Sequence, residues 1–431
     1  MPDVMQLSGP QVEIRDAGAL FSRRRLTVVA SGRGRHLFQR LQDPRLALLQ
    51  REELAADQAP DLYVFSAQKP DDVVDALDDT PAEFWARLAR GPAGIVFDAS
   101  GESWPRSPED TDLLHQVLDR IGIAPERAVL VTQNRCCRDG YERRAAARGA
   151  APMAVLNYDL WIRRLFARHA PNGDHKLNKR RKRFRERQPS RSKRFISLNL
   201  TPRVSKVLLL QRLMRDGLWD QGFISFGGFP RGAPTYVPPR KRFGRRMLED
   251  PHFGDLAQEL SPWLRPLDQL GRVLFLHREV EGSLKVELAS DAALPHYNDS
   301  WFSIITESEM SELPLRITEK PFSALMNFHP LVMFGNPGSL ALIRSFGFET
   351  FGAVIDESYD EEPDPRKRFE MAYREVERLC RVDEAELARG ESALHETLQF
   401  NAQWGLTRLP SIYRDQIDVR LVDDIIAAVG L

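Results

Sequence analysis

Short apolar runs rich in β-branched residues recur between residues 20 and 170, each followed by a segment with helical spacing. The runs are Leu26–Ala30, Leu62–Ser66, Ile95–Asp98, Ala128–Thr132 and Val155–Tyr158. Pro70–Asp79, Thr80–Arg90 and Ser107–Ile121 read as the intervening helices. Thr80-Pro81-Ala82-Glu83 supplies an N-cap, a first-turn proline and a capping-box glutamate. Ser107-Pro108-Glu109-Asp110 starts the next helix, and Leu113, Leu114, Val117, Leu118 and Ile121 give it an apolar face. Strand and helix alternate at roughly 30-residue intervals, the length of a crossover unit, which predicts a parallel, doubly wound sheet. Such sheets bind ligands beyond the carboxyl ends of their strands. Ser31–His36, Asp98–Glu102 and Gln133–Arg135 fall at those ends. Gly32-x-Gly34 is half of a dinucleotide fingerprint and lacks its third glycine.

The second half repeats the pattern. Phe195–Asn199 reads as a strand, followed by Arg203 and an apolar helix over Lys206–Arg215, and Gly222–Phe226 is a second strand. Residues 229–270, rich in proline, arginine and aromatics, read as an insertion of loops and short helices. Val273–Leu276 and Leu284–Leu288 are further strand candidates. Ser339–Phe346, Arg366–Cys380, Leu394–Phe400 and Leu421–Val429 read as helices.

Between these halves lies a run of Lys176, Lys179, Arg180, Arg181, Lys182, Arg183, Arg185 and Arg187. It reads either as an exposed, partly helical linker or as a patch for a polyanion or an anionic membrane surface. Phe184 is its only stacking platform, and the whole chain carries 61 basic and 61 acidic residues. Both observations argue against a nucleic-acid partner. The three cysteines, Cys136, Cys137 and Cys380, fit neither a disulfide framework nor a zinc spacing. No apolar run approaches the roughly 18 residues of a membrane span. The first residues show no secretory signal, so the expected location is cytoplasmic, peripheral to the inner membrane.

Trp301–Gly338 concentrates the chemistry. Trp301–Ile305 is a strand, Glu307 and Ser308 end it, and Ile317-Thr318-Glu319-Lys320 opens a helix with Thr318 as N-cap and Pro321 in the first turn. Pro330–Phe334 is the next strand, stopping at Gly335-Asn336-Pro337-Gly338. A helix N-terminus beside Lys320 suits a phosphate, and Glu319 suits the paired hydroxyls of a ribose. Thr-Glu-Lys is equally an ordinary solvated first turn.

Glu307-Ser308, a loop, Ile317-Thr318-Glu319-Lys320 and a strand ending at Gly335 resemble the donor-binding motif of the α1,3-fucosyltransferase family. The family's Asn between Glu and Ser is absent here, and the loop Glu309–Arg316 is this chain's own. The resemblance implies an α/β fold of two Rossmann-like, doubly wound domains (GT-B-like) with a helical C-terminal tail that crosses back onto the first domain. The expected boundaries are residues 1–175 for the acceptor domain, 176–194 for the basic linker, 195–375 for the nucleotide-sugar domain and 376–431 for the tail. It implies a nucleotide-sugar donor, GDP-sugar favoured, with Glu319 on ribose, Lys320 and Arg203 on the diphosphate, and Asn199, Glu307 and Thr318 around them.

The expected activity is a glycosyltransferase transferring the sugar to a glycan or lipid-linked acceptor in the cleft between the two halves. The alternative is a non-catalytic protein of the same fold that binds a polyanion or protein partner through 176–194. No Asp-x-Asp stands at a strand end, so the transfer is expected to need no metal and no cofactor. Asp356-Glu357 reads as an acidic loop or, alternatively, as a metal site. An inverting transfer needs a general base, for which Asp98 and Glu102, with His36 behind them, are the candidates.

Overall fold

The computed structural model describes residues 25–31, 37–41, 43–55, 57–229, 239–271, 277–280, 283–286, 294–311 and 315–431. His36 and the Gly32-x-Gly34 pair lie outside the described residues, as do 230–238 of the insertion and the strand candidate 273–276. Six strands, β1 (Leu26–Ala30), β2 (Leu46–Leu49), β3 (Leu62–Ser66), β4 (Gly94–Ala99), β5 (Ala128–Thr132) and β6 (Ala154–Asn157), form one sheet. They pair in parallel throughout, in the order β2-β1-β3-β4-β5-β6. β4 and β5 are buried along their whole length. A strand covered on both faces must be apolar on both faces, which is why these segments read as continuous runs. Leu46–Leu49 was not anticipated: it is a short edge strand, partly exposed.

A second sheet holds β7 (Phe195–Asn199) and β8 (Gly222–Phe226). An antiparallel hairpin of β9 (His277–Val280) and β10 (Ser283–Val286) stands apart from it. β11 (Phe302–Thr306) and β12 (Leu331–Phe334) complete the second sheet, whose order is β12-β11-β7-β8, again all parallel. The chain is α/β with two parallel sheets and a helical C-terminal stretch. Among the described residues no helix is long and apolar enough to cross a membrane.

The described residues divide into two compact units. One takes those within Met1–Ala167, Leu313–Arg316 and Pro410–Leu431, and the other those within Arg168–Glu312 and Ile317–Leu409. The last helix, Asp418–Ala428, therefore belongs with the six-stranded sheet. Tyr158 Oη donates to Asp418 Oδ1 at 2.6 Å and Arg163 Nε to Oδ2 at 3.0 Å. A Cβ on Gly94 would stand 2.6 Å from Val429 Cγ2, so β4 accepts this segment only with glycine at that position. Ser107 caps the helix Pro108–Ile121 as its sequence implies, with Ser107 Oγ accepting from the Asp110 N–H at 3.2 Å. Thr80 does not cap Ala82–Arg90. Its hydroxyl instead donates to the Ala76 carbonyl at the end of the preceding helix.

The largest departure from expectation is the basic segment. It is no exposed linker: the helix Gly173–Arg185 packs within the second unit and buries Leu177, Arg180 and Phe184. Arg180 Nη1 donates to the Met326 carbonyl at 3.2 Å. Arg187 donates to the Asn327 and Phe328 carbonyls at 3.0 and 3.1 Å, and to Glu391 Oε1 at 2.7 Å. Arg191 pairs with the other oxygen of Glu391 and lies 3.8 Å from the Trp301 ring centroid. The side chains of Arg187 and Arg191 are only 3% and 2% exposed. Burial pulls the Arg187 guanidinium down to about 10, against the pull of Glu391.

A buried cation stripped of its carboxylate costs far more than an exposed one. Glu391→Gln is therefore expected to lower unfolding free energy by about 3 kcal/mol, read from urea denaturation. Arg183→Ala, at a side chain 59% exposed, should change it by less than about 0.5 kcal/mol.

Candidate anion site at the switch point of the four-stranded sheet

β7 is the first strand of its sheet. The chain adds β8 on one side of it and then returns to add β11 on the other. The order reverses between β7 and β11, and the carboxyl ends of those two strands border the crevice where open parallel sheets hold ligands. Arg203 and Lys206 follow β7, while Glu307 and Thr318-Glu319-Lys320 follow β11.

The helix after β7 is Val204–Arg215, twelve residues long, two residues earlier in its start than the apolar pattern suggests. Arg203 is its N-cap, in extended conformation, and no side chain caps it. A helix of this length presents free N–H groups and the positive end of its dipole. Lys206 stands in its first turn and is 4% exposed. Among the described residues it has no hydrogen-bond or ion-pair partner. Burial is the main force lowering its pKa well below the usual lysine value, and Lys320 and Arg203 lower it further. Glu307 and Glu319 act in the opposite direction. These five charged groups are thus close enough to feel one another.

The β11 side is organised by Glu307, which is 1% exposed. Thr318 donates to Glu307 Oε1 through its N–H at 3.1 Å and its hydroxyl at 2.9 Å. Lys320 Nζ donates to Thr318 Oγ1 at 2.9 Å and lies 3.6 Å from Glu307 Oε2. Two expectations change here. Thr318 is not an N-cap, because its hydroxyl and N–H both turn back to Glu307. The helix starts at Lys320, with Glu319 at the cap position, and is only six residues long (Lys320–Leu325). Glu307 is a buried brace that fixes Thr318 and Lys320 from below. Ser323 N–H donates to the Glu319 carbonyl at 3.1 Å, while the Glu319 carboxylate makes no capping bond.

Asn199 is also internal. Its Oδ1 accepts from Thr306 Oγ1 at 2.6 Å and its Nδ2 donates to Ser197 Oγ at 3.0 Å, tying β7 to β11. It is fully buried. Its amide therefore orders the strand ends. Arg368, from the helix Pro365–Arg381, is buried. It donates to the carbonyls of Gly335 at 3.0 Å and of Met310, binding the loop after β11 to the end of β12. The sequence reading missed both Lys206 and Arg368. A lysine inside the apolar run Val204–Leu213 was the available signal for the first, and nothing local marks the second.

In the first unit, neither predicted general base is poised for that task. Asp98 ends β4 completely buried. Its Oδ2 accepts from the Leu37 N–H at 2.7 Å and its Oδ1 from the Ser100 hydroxyl at 2.6 Å, so it anchors two loops. Burial raises its pKa against those hydrogen bonds. Glu102 accepts from Arg316 Nη1 at 2.9 Å, so its charge is already paired. Glu357 accepts from the Phe351 N–H at 2.6 Å and the Thr350 hydroxyl at 2.9 Å, which ties down the acidic loop. Among the described residues no group of three His, Cys, Asp or Glu gathers to hold a metal ion.

No protein-family model matches this chain, and no curated protein or solved structure matches it.

A cationic side chain buried without a partner opposes folding. Because the folded pKa of Lys206 is depressed, the unfolded chain binds more protons up to about pH 10.4, and stability rises with pH through that window. Lys206→Met should therefore stabilise the empty protein by roughly 1–2 kcal/mol at pH 7. Thermal denaturation across pH 7–10 should show that gain shrinking as the pH rises.

Proposed function

We propose that this chain is a glycosyltransferase that takes a sugar from a nucleoside-diphosphate donor held at the β7/β11 edge. The observation that carries the reading is Lys206, buried in the first turn of an uncapped helix and without a hydrogen-bond or ion-pair partner among the described residues, with Lys320 and Arg203 acting on it electrostatically. Three cations and a helix N-terminus converge where a topological switch point makes a crevice, which is the electrostatic complement of a diphosphate. The resemblance to the α1,3-fucosyltransferase donor motif supports the same reading and favours a GDP-sugar.

In this reading Arg203, Lys206 and Lys320 face the diphosphate. Glu319, half-buried and leaving its carboxylate outside the Glu307–Thr318–Lys320 chain, receives the ribose hydroxyls. As the bond to the sugar breaks, negative charge grows on the leaving diphosphate. Fixed cations in a partly desolvated crevice stabilise that charge without reorganising, so the transfer runs without a metal ion. The acceptor is a glycan or a lipid-linked glycan, whose hydroxyl attacks the anomeric carbon of the donor sugar with inversion as the bond to the diphosphate oxygen breaks, its proton passing to solvent. Asp98 and Glu102 are not carried into this reading as bases, since both already hold other groups. The polyanion-binding alternative has less support, because Arg180, Arg187 and Arg191 of its segment are buried against carbonyls and Glu391, which leaves Lys179, Lys182, Arg183 and Arg185 as its exposed cations.

A thermal-shift series with GDP, UDP, CDP and dTDP, each with and without EDTA, tests this. One nucleotide at a hundred times its dissociation constant should stabilise the native chain by about 2.7 kcal/mol. The shift should ignore EDTA and vanish in Lys320→Ala. If all four nucleotides leave the native chain unshifted, the donor-site reading fails.

A further inference from the structure

The helix Arg240–Leu248 carries its charge against every local preference. It opens on Arg240, Lys241 and Arg242 with no acidic residue in its first turn, so three cations sit at the positive end of its dipole. Lys241 and Arg245, like Arg242 and Arg246, stand four residues apart and repel across one turn. Among the described residues only Arg240 of these five has a counter-ion, Asp268 at 3.3 Å. Residues 221–248 contain no Asp or Glu, in a chain of 61 basic and 61 acidic residues. The helix holds because its inner face is packed. Phe243 and Met247 are buried, and a Cβ on Gly244 would stand 2.9 Å from Leu264 Cδ2 of the helix Leu264–Gln269. Lys241, Arg242, Arg245 and Arg246 are all exposed.

We propose that the outer face of Arg240–Leu248, with the end of the neighbouring helix at Leu270, is a docking surface for a lipid bilayer that contains anionic phospholipid. The inference does not rest on the nucleotide reading. Where that reading holds, it selects the lipid-linked acceptor over a free glycan.

Charge and apolar exposure together choose this partner. Four exposed cations on one short helix call for phosphate, and guanidiniums bind it through paired N–H groups. Glu249, at the C-terminal cap, is the carboxylate that follows them, at the far end of the helix from Lys241 and Arg242. A soluble polyanion would be held by charge alone. This face also presents the two most exposed large apolar side chains among the described residues, Leu248 at 46% and Leu270 at 43%. Leu248 ends the basic helix and Leu270 follows the helix packed on it. Nucleic acid is the poorer fit, since the only aromatic residue of the basic helix, Phe243, is buried and offers no base a stacking platform. A bilayer meets both demands. Its phosphates take the arginines and lysine, and its headgroup–acyl boundary takes the leucines.

Vesicle co-sedimentation of the full chain tests this, with vesicles of phosphatidylcholine alone and of equal parts phosphatidylcholine and phosphatidylglycerol. The native chain should pellet with the mixed vesicles only, and raising salt from about 0.1 M to about 1 M, which cuts the screening length from about 10 Å to about 3 Å, should release most of it. Each cation at such a surface is worth about fivefold in partitioning. The combined variant Lys241→Gln, Arg242→Gln, Arg245→Gln, Arg246→Gln should therefore bind more than about a hundredfold more weakly. It should unfold no earlier than the native chain, because repelling charges have been removed. Leu248→Ser should lose about tenfold and keep its salt dependence. Lys179→Gln, Lys182→Gln, Arg183→Gln, Arg185→Gln together remove as many exposed charges from the same unit and should bind as the native chain does. No pelleting of the native chain with mixed vesicles overturns the inference, as does equal loss in the two combined variants. Native-like binding by Leu248→Ser makes the face a site for a soluble polyanion and overturns it too. None of these readouts involves a nucleotide, so the donor-site reading stands or falls separately.

Discussion

Two buried guanidiniums sharing one carboxylate hold the second unit together. Arg187 and Arg191 meet on Glu391, and together with Arg180 they reach the carbonyls of Met326, Asn327, Phe328 and Ser300. Those carbonyls close the helix Lys320–Leu325 and the entry to β11. A cluster of this kind is stable only if each charge keeps its partner. It therefore fixes where the Thr318-Glu319-Lys320 turn stands, although it touches none of its side chains. Phe328 is held at φ 57° in the same place, stacked on Phe184 with ring centroids 4.8 Å apart. Left-handed backbone at a bulky residue is costly, and the arginines that bind the adjacent carbonyls are what over-determine it.

The strands were legible because parallel sheets covered on both faces demand apolar runs, and such runs are conspicuous. Nine of them, from Leu26–Ala30 to Leu331–Phe334, lie within a residue or two of their predicted bounds. Leu46–Leu49 escaped because an edge strand of four residues has neither length nor alternation to announce it. The basic segment was misread for a physical reason. Charge runs are normally solvated, and only the spacing of Leu177, Arg180 and Phe184 betrayed a buried stripe with arginine inside it. Arginine tolerates such a position because its planar fork can satisfy several carbonyls at once.

The candidate site was half legible. Lys320, Glu319 and Arg203 were found at the strand ends where topology places ligands. The roles within the motif were not readable, because Thr318 and Glu307 face inward, and only coordinates tell a brace from a ligand contact. Asn199 and Asp98 illustrate the same ambiguity: a polar residue at a strand end serves the strand end as readily as the crevice beyond it. Lys206 looked like one polar position in an apolar helix. Its significance comes from what is missing around it, and a sequence does not show the absence of a partner.

The close approach of Val429 to Gly94 bears on how the chain is made. The helix Asp418–Ala428 covers part of the six-stranded sheet, yet every residue of the second unit is translated before it. At roughly 5–20 residues per second, the sheet's strands wait tens of seconds on the ribosome with that apolar face uncovered. For that interval the sheet made before the second unit is finished only after it.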